Sequence, residues 1–584
     1  MNNKKTTKRA LLSSVMAIVL CLAMLIGTTF AWFTDTASTG VNKIVSGNLH
    51  VEIQDKTGEK IENLEWVKEN GDVIANQEGI LWEPGCTYLL TPFQIVNTGN
   101  LSLKYKIVIT GLDGDSPLLD VIKFTYKTAS DEEFDMSAEG HLTAKGTPGA
   151  STGMITVSAH MDELANNDYM DKTLTGIKFT VYATQDTVEN DSFNNQYDKD
   201  AEYAVEVKTA DELHKALEND DNVVLATDIA LPDNWTPAGN GTRSGASFTG
   251  DSYTGIFNGN GKTISNVKNS LFGVVTGTVK NVKLVAAIDN TESDSVGAVA
   301  RILAGGTISD VTVSGSVIGE KAVGGVVGRV LAAGTVSNCT NSATVESTSG
   351  SDAAGGIVGK AYYTVTGKEM NIISCKNTGT INGKYAAGGI VGFSAANVKN
   401  CENSGEITMT GTNASAVGGI IGEQTNYGTI SGNKNTKDIT VNGSTNVNVG
   451  GIIGWIRYQN NAAYANNMTI VVSGNENSGN ISSGTGTGLG TGGIVGLAYN
   501  QAKVNGNKNT ATAISGGTFA AGIVGGLQVN ADNLTIGESV RFVVTSNTSA
   551  TTLDNISGNY KDLFAYNNDP GNNSFADISE NTTE

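Results

Sequence analysis

One string of five residues recurs down the second half of the chain and limits the fold more than any other feature. It reads Gly324-Gly325-Val326-Val327-Gly328, and returns as Gly355 to Gly359, Gly388 to Gly392, Gly418 to Gly422, Gly450 to Gly454 and Gly492 to Gly496. Shortened forms open and close the series at Gly297-Ala298-Val299 and Ala521-Gly522-Ile523-Val524-Gly525. The eight copies stand 27, 31, 33, 30, 32, 42 and 29 residues apart. A period near 30, made of short β-branched runs and turn residues, predicts the stacked turns of a parallel β-solenoid, in which no turn can bury its apolar face without a neighbour. The 72 glycines in 584 residues follow no collagen period and fit such tight turns.

Two further columns keep the same period. One runs through Val282, Val311, Cys339, Cys375, Cys401, Asn433, Asn475 and Asn507, and two residues later stand Asn341, Asn377, Asn403, Asn435, Asn477 and Asn509. Asparagines stacked at the inter-strand spacing of about 4.8 Å can hydrogen-bond amide to amide, so this column is expected to be a structural ladder that fixes register. Between the columns Lys376, Glu402, Lys434, Glu476 and Lys508 alternate in sign, which favours one stacking order. Glu402 and Glu476 as a glycosidase pair would be two turns, roughly 10 Å, apart with a lysine between. The cysteines read as small buried fillers, because none has a histidine nearby.

The array resembles the GLUG-motif repeats of large bacterial surface proteins, on the strength of the eightfold string. Leu271-Phe272-Gly273 is similar to that motif's core, preceded by Phe257-Asn258-Gly259-Asn260-Gly261-Lys262-Thr263-Ile264. Ser270 stands where the first glycine is expected. Ahead of the array, Thr209-Ala210-Asp211-Glu212 is a capping box, followed by Leu213, Ala216 and Leu217 on one helical face. The expectation is a short helix that covers the first turn.

The N-terminus has the grammar of an export signal. Lys4, Lys5, Lys8 and Arg9 precede an apolar run from Ala10 to Phe30, and Thr29-Phe30-Ala31 offers small residues at the −3 and −1 positions. Cleavage between Ala31 and Trp32 is expected, with an uncleaved membrane anchor as the rival. Loss of the signal takes the formal charge from −20 to −24 and speaks against nucleic acid as a partner. Four cysteines then remain over more than 500 residues, too few for a disulfide scaffold.

Between signal and array, period-two runs and turns describe a sandwich or barrel. They include Gly47 to Ile53, Phe93 to Val96, Leu103 to Ile109 and Gly176 to Gln185. The same stretch resembles the TasA/camelysin family, through Trp32-Phe33-Thr34-Asp35, Asn42…Gly47-Asn48-Leu49, Trp82-Glu83-Pro84-Gly85, Asn97-Thr98-Gly99-Asn100 and the closing Ala183-Thr184-Gln185…Glu189-Asn190-Asp191-Ser192-Phe193. That resemblance implies a jelly-roll-like sandwich, Gram-positive export and a place among biofilm-matrix proteins, some of which polymerise.

The expected class is therefore all-β: a jelly-roll-like β-sandwich followed by a right-handed parallel β-solenoid of about eight turns, a rod of about 40 Å. Residues 1–31 are the signal, 32–200 the sandwich, 201–565 the solenoid and 566–584 a polar tail. No sorting motif closes the chain. The expected role is non-catalytic assembly or adhesion at the cell surface or in the extracellular matrix, without a cofactor or metal. Partners are other copies of the chain, joined through Trp32 and Phe33 as anchors, or unspecified glycans and proteins.

The alternatives are an enzyme or a glycan-binding module. Camelysin-type members have been classed as metallopeptidases, but a zincin needs two histidines one helical turn apart. His50, His141, His160 and His214 stand alone, and His160 with Asp162 and Glu163 is the nearest approach to a ligand set. A glycan-binding module would use Tyr362, Tyr363, Tyr385, Tyr427, Trp455 and Tyr458, which flank the glycine strings.

Overall fold

The computed structural model describes residues 49–584 apart from 62, 69–71, 75–79, 81, 111–115, 175–176, 187–202, 246, 332, 363–368, 412–414, 426–427, 442–446, 458–469, 484–489, 500–501, 517, 529–541, 559 and 568–575. The chain divides into two units, Met1–Tyr203 and Ala204–Glu584. The expected cleavage pair Ala31 and Trp32, and the anchors Trp32 and Phe33, lie outside the described residues.

The first unit is built from antiparallel strands: β1 (Val51–Gln54), β2 (Trp66–Val67), β3 (Thr87–Leu90), β4 (Gln94–Asn97), β5 (Leu103–Thr110), β6 (Ile122–Thr128), β7 (Gly140–Leu142), β8 (Ile155–Met161) and β9 (Lys178–Gln185). They form sheets in the orders β2-β3-β8-β6 and β7-β5-β9, with β1 paired to β4. Alternation decides which face goes in. On β8 the side chains of Ile155, Val157, Ala159 and Met161 are buried while Thr156, Ser158 and His160 between them are half-buried. Ile155 and Val157 join Phe93, Ile95, Leu103, Tyr105 and Ile107 in one core drawn from both sheets. The turn after β4 is held by buried Asn97, whose Nδ2 donates to the carbonyls of Leu101 (2.7 Å) and Thr143 (2.9 Å) while its Oδ1 accepts from the Gly99 N–H (2.9 Å).

The second unit is a parallel β-solenoid. At its start lies α1 (Ala210–Glu218), with both halves of the capping box made between Thr209 and Glu212. Leu213, Ala216 and Leu217 of α1 are buried in the same core as Val223, Leu225 and Phe257 of the first strands. Each later turn contributes to three parallel sheets, and from Ile439–Thr440 onward one strand per turn joins a separate four-stranded parallel sheet. Residues 353–383 serve as the example: Ala353–Gly355 lies on a second face, Val358–Ala361 on a third, and Asn371–Ile373, Lys376–Asn377 and Ile381–Gly383 on the first. Strands stack in register, so like residues form columns, such as Ala353 on Ala386 on Ala416 on Asn448. Inward columns are continuous apolar ladders; Ile357, Ile390, Ile420, Ile452, Ile494 and Ile523 are all fully buried, each worth about 1.5–3 kcal/mol.

The third face holds ten strands among the described residues, where the string marks eight turns. The added ones are Phe272–Val275 and Ala565–Asn567, whose strings, Asn269-Ser270-Leu271-Phe272-Gly273 and Asp562-Leu563-Phe564-Ala565-Tyr566, have lost their leading glycines. The expected polar tail, 566–584, is corrected by two strands. Ala576–Ser579 pairs with Phe542–Thr545, and Thr582–Thr583 with Thr548–Ser549, so this polar segment continues the first face.

Candidate functional site

The glycine string and the asparagine column are two sides of one corner. Asn341, Asn377, Asn403, Asn435, Asn477 and Asn509 are fully buried. Each Nδ2 of the first five donates to the Oδ1 of the next, at 2.9, 2.9, 3.0, 2.9 and 3.0 Å. Within its own turn the same amide closes a two-residue loop: Asn377 donates to the Gly379 carbonyl (2.9 Å) and accepts from the Gly379 N–H (3.3 Å). The second glycine of each string lies against this amide. A Cβ on Gly356 would stand 2.5 Å from Cγ of Asn377 and 2.1 Å from the carbonyl oxygen of Gly389, so no other residue fits. The ladder ends at Asn509, which donates instead to the Gly522 carbonyl (2.9 Å) and to Thr551 Oγ1 (3.1 Å).

A second ladder went unread in the sequence. Asn433, Asn475, Asn507, Asn547 and Asn581 stack in the same way, each Nδ2 donating to the next Oδ1 at 2.9, 2.8, 3.0 and 3.0 Å. Each Oδ1 from Asn475 onward also accepts the backbone N–H of the preceding asparagine. The sequence signal is the run Asn433, Asn475 and Asn507; its continuation through Asn547 and Asn581 lies beyond the last glycine string. Cys339, Cys375 and Cys401 fill the earlier rungs of the column, and Cys401 N–H donates to Asn433 Oδ1 (2.9 Å). Burial pushes the Cys339 and Cys401 thiols up, away from the reactive thiolate.

The alternating charges meet on the surface. Lys376 pairs with Glu402 (3.3 Å) and Lys434 with Glu476 (3.4 Å), while Lys508 pairs with Glu584 of the last segment. Glu402 and Glu476 are held apart by the intervening Lys434 strand. The structure does not bring them together as an acid and base.

The histidines are dispersed, each with a local partner. His160 meets Thr87 Oγ1 (2.8 Å) and Glu163 (3.7 Å), His214 meets Glu218 (3.0 Å), and His50 lies 3.5 Å from Glu52. His141 is not isolated, as the sequence suggested: its Nδ1 lies 2.9 Å from the buried carboxylate of Asp186, 45 residues away. Beside it Tyr203 donates to Glu139 (2.8 Å). Burial, reinforced by that carboxylate, raises the Tyr203 phenol well above its ordinary range. Among the described residues no group of three His, Cys, Asp or Glu side chains is placed to hold a metal ion.

The richest chemistry lies in a seam where the second and third faces turn their outer sides toward each other. On the third face one column runs Ile302, Arg329, Lys360, Phe393, Glu423, Trp455, Leu497 and Gly526, from Arg329 onward the residue after the last glycine of the string, with Arg301 in that glycine's place before Ile302. Opposite, on the second face, run Ser295, Ala322, Ala353, Ala386, Ala416, Asn448, Gly490 and Phe519. The two columns touch: Arg329 Nε donates to Ser295 Oγ (3.2 Å), Phe393 packs with Ala353 and Ala386, and Gly526 lies under Phe519.

Charged groups in the seam are paired. Arg329, 2% exposed, lies 3.5 Å from Asp294 and 3.7 Å from Asp352, and Asp352 also receives Lys360 (3.2 Å). Burial alone would raise the Asp294 carboxyl, but the hydrogen bond from Arg243 and the charges of Arg329 and Lys321 hold it below the ordinary range. Three turns on, Glu423 is fully buried and meets Arg457 (3.4 Å) and Ser415 Oγ (3.5 Å). Burial pushes the Glu423 carboxyl up, against the pull of Arg457, Lys360 and Ser415.

Of the expected aromatic ligands, Tyr362 packs edge-on to Phe393 (5.1 Å), Tyr385 joins the same cluster, and Trp455 lies under Arg457 and beside Tyr499. Tyr363, Tyr427 and Tyr458 lie outside the described residues.

Residues 319–346 match the GLUG motif. No curated protein matches the chain in sequence. Among solved structures, one described as a candidate immunoglobulin A1 protease from Bacteroides ovatus is similar at 23% identity and a TM-score of 0.34, over 41% of this chain and 76% of that one. Another, described as an IgA1 protease, is similar at 14% identity and a TM-score of 0.30, over 78% of this chain and 29% of that one. Scores this low assign no activity.

Proposed function

We propose that this chain is an exported, non-catalytic surface or matrix protein, in which the β-sandwich is the assembly unit and the solenoid is a stiff adhesive arm. The observation that carries this reading is the pair of asparagine ladders. They lock successive turns together along the axis and leave the outer faces free to vary in charge and aromatic content. Ten stacked strands at about 4.8 Å give an arm of roughly 43 Å. The export signal and the resemblance to TasA-type proteins support location outside a Gram-positive cell, and the segment from Trp32 is the proposed tail that adds a strand to a neighbouring copy. Two measurements test this. N-terminal sequencing of secreted protein should begin at Trp32, and sedimentation should show oligomers that are lost when the chain begins at Val41. Retention of residues 1–31 in a membrane fraction would contradict export, and monomers of both forms at high concentration would contradict assembly.

A second reading, a secreted polysaccharide-cleaving enzyme, would have to take its acid from Glu423, a carboxyl that is fully buried and paired with Arg457 (3.4 Å). Release of reducing ends from plant or bacterial polysaccharides by the purified chain, abolished by Glu423→Gln, would establish it.

A further inference from the structure

The first unit leaves one long strand edge open. Among the described residues β9 (Lys178–Gln185) pairs only with β5, at the end of the sheet β7-β5-β9. The bond from the Asp186 N–H to the Ser102 carbonyl (3.2 Å) sets the phase of that pairing. Antiparallel ladders turn alternate residues toward each side, so the backbone groups of Lys178, Thr180, Tyr182 and Thr184 face β5. Those of Phe179, Val181, Ala183 and Gln185 face outward, a row of donors and acceptors along the edge. Burial stops at the same line: Ile107 and Tyr105 of β5 are buried, but Val181 and Ala183 opposite them are only half-buried.

An exposed edge is a template for another strand, and folded proteins blunt such edges with charge, proline, bulges, brevity or a cover. The other edges of the two larger sheets are short or covered. β7 is 3 residues long, β2 is met by the bridge Val67–Val73, and β6 by the bridge Lys127–Glu133. β9 has none of these devices. From Phe179 to Gln185 it carries no charge, proline or glycine, and its register with β5 is unbroken over 8 residues.

We propose that β9 is the pairing edge for a second copy of this chain, the two β9 strands running antiparallel across a two-fold axis and joining their sheets into one. Register follows from the faces. Directly opposite residues share a face of a sheet, so core-side residues must meet core-side residues. Centring the overlap on Tyr182 places Val181 opposite the partner's Ala183, Phe179 opposite the partner's Gln185, and Tyr182 opposite its own copy. Every outward donor of one strand then meets an outward acceptor of the other. The same register sets Lys178 opposite the partner's Asp186 at each end, opposite charges on a chain whose net charge is −20. Such an isologous contact closes on itself as a dimer. The tail from Trp32 fits this edge less well, because it brings Asp35 and Gly40 into the ladder where a second β9 brings uncharged, β-favouring residues. The contact goes beyond the tail-mediated assembly: a chain beginning at Val41 loses the tail-built oligomers and keeps this pair.

The test is disulfide trapping in the mature full-length chain, with half-buried Cys86 changed to serine and the buried cysteines left in place. Tyr182→Cys stands opposite itself in a non-hydrogen-bonded pair, at a Cα separation of about 4.5 Å, and copper phenanthroline should trap it as a covalent dimer. Thr180→Cys lies roughly 13 Å from its own copy and should stay untrapped until it is mixed with Thr184→Cys. Val181→Pro removes an outward N–H without touching the β5 ladder. It costs the pair two bonds and should weaken the dimer seen by sedimentation at least about tenfold, with unfolding curves establishing that the variant is folded. No trapping of Tyr182→Cys, or trapping of Thr180→Cys alone as readily, overturns the proposal. So does loss of Tyr182→Cys trapping when the chain begins at Val41, a result that makes the tail the occupant of the edge. A trapped dimer in a chain that builds no tail-mediated oligomers supports this contact while removing the other.

Discussion

Asn403→Leu puts the ladder to its hardest test, because leucine keeps the branched shape and removes every polar atom. Asn403 Nδ2 donates to the Gly405 carbonyl (3.1 Å) and to Asn435 Oδ1 (3.0 Å), and its Oδ1 accepts from the Gly405 N–H (3.2 Å) and from Asn377 Nδ2 (2.9 Å). The substitution removes four bonds. Asn377 keeps its bond to Gly379, but both backbone groups of buried Gly405 lose the partner that the side chain supplied. Counting about 1 kcal/mol for each of the four net bonds, and about 1 kcal/mol more for each of the two Gly405 groups left unpaired, the loss is about 6 kcal/mol. The damage should centre on that turn, because turns of a solenoid couple chiefly to their neighbours. Next to it, Glu402→Gln removes an exposed ion pair with Lys376 and should cost at most about 0.5 kcal/mol. Urea unfolding of the mature chain gives the totals, and hydrogen exchange gives the location, faster amides over roughly residues 371–441. If the two variants unfold alike, or if exchange rises uniformly along the array, the ladder does not hold the register.

Three further predictions follow from particular residues. Gly356→Ala should unfold its turn, since the new Cβ meets the Gly389 carbonyl at 2.1 Å, while Gly350→Ala, with nothing within 4 Å, should be silent in the same melt. Ser374 and Gly432 occupy one left-handed corner column, at φ of 54° and 67°. Ser374→Gly should therefore raise stability by up to about 1 kcal/mol, and Gly432→Ala, whose Cβ would stand 2.4 Å from Asn400 Oδ1, should lower it. Glu423 has a folded-state pKa raised by burial, so between its unfolded and folded values the native state binds more protons and stability falls as pH rises. Glu423→Gln removes that dependence: its melting temperature should gain on the wild type as pH climbs through the raised pKa, and a constant difference from pH 4 to 8 would contradict the burial effect.

Much of the solenoid was legible because its packing repeats. A position that must be glycine for lack of room, such as Gly356, and one that must be asparagine to close a loop and bond its neighbour, such as Asn377, return together in six successive turns and stand out without coordinates. Turns that meet the same need differently are hidden. Ser270 and Leu563 replace the glycines at the two ends, and Asn581 continues its ladder within a segment that composition marks as a polar tail. The seam was hidden for the opposite reason. Its positions hold Arg329, Lys360, Phe393, Glu423 and Trp455, and a column that varies in chemistry leaves no repeat to find, although its place just after the last glycine is constant. Contacts between distant segments, such as His141 with Asp186, leave no periodic trace either.

The account stands most directly on adhesion by intact cells. Cells producing the full chain, and cells producing it without residues 204–584, are compared for retention on a polysaccharide-coated surface under flow, with surface amounts matched by antibody to the first unit. The account predicts surface labelling of both and a large loss of retention without the solenoid. Equal retention, or antibody labelling only after the cells are permeabilised, would contradict it.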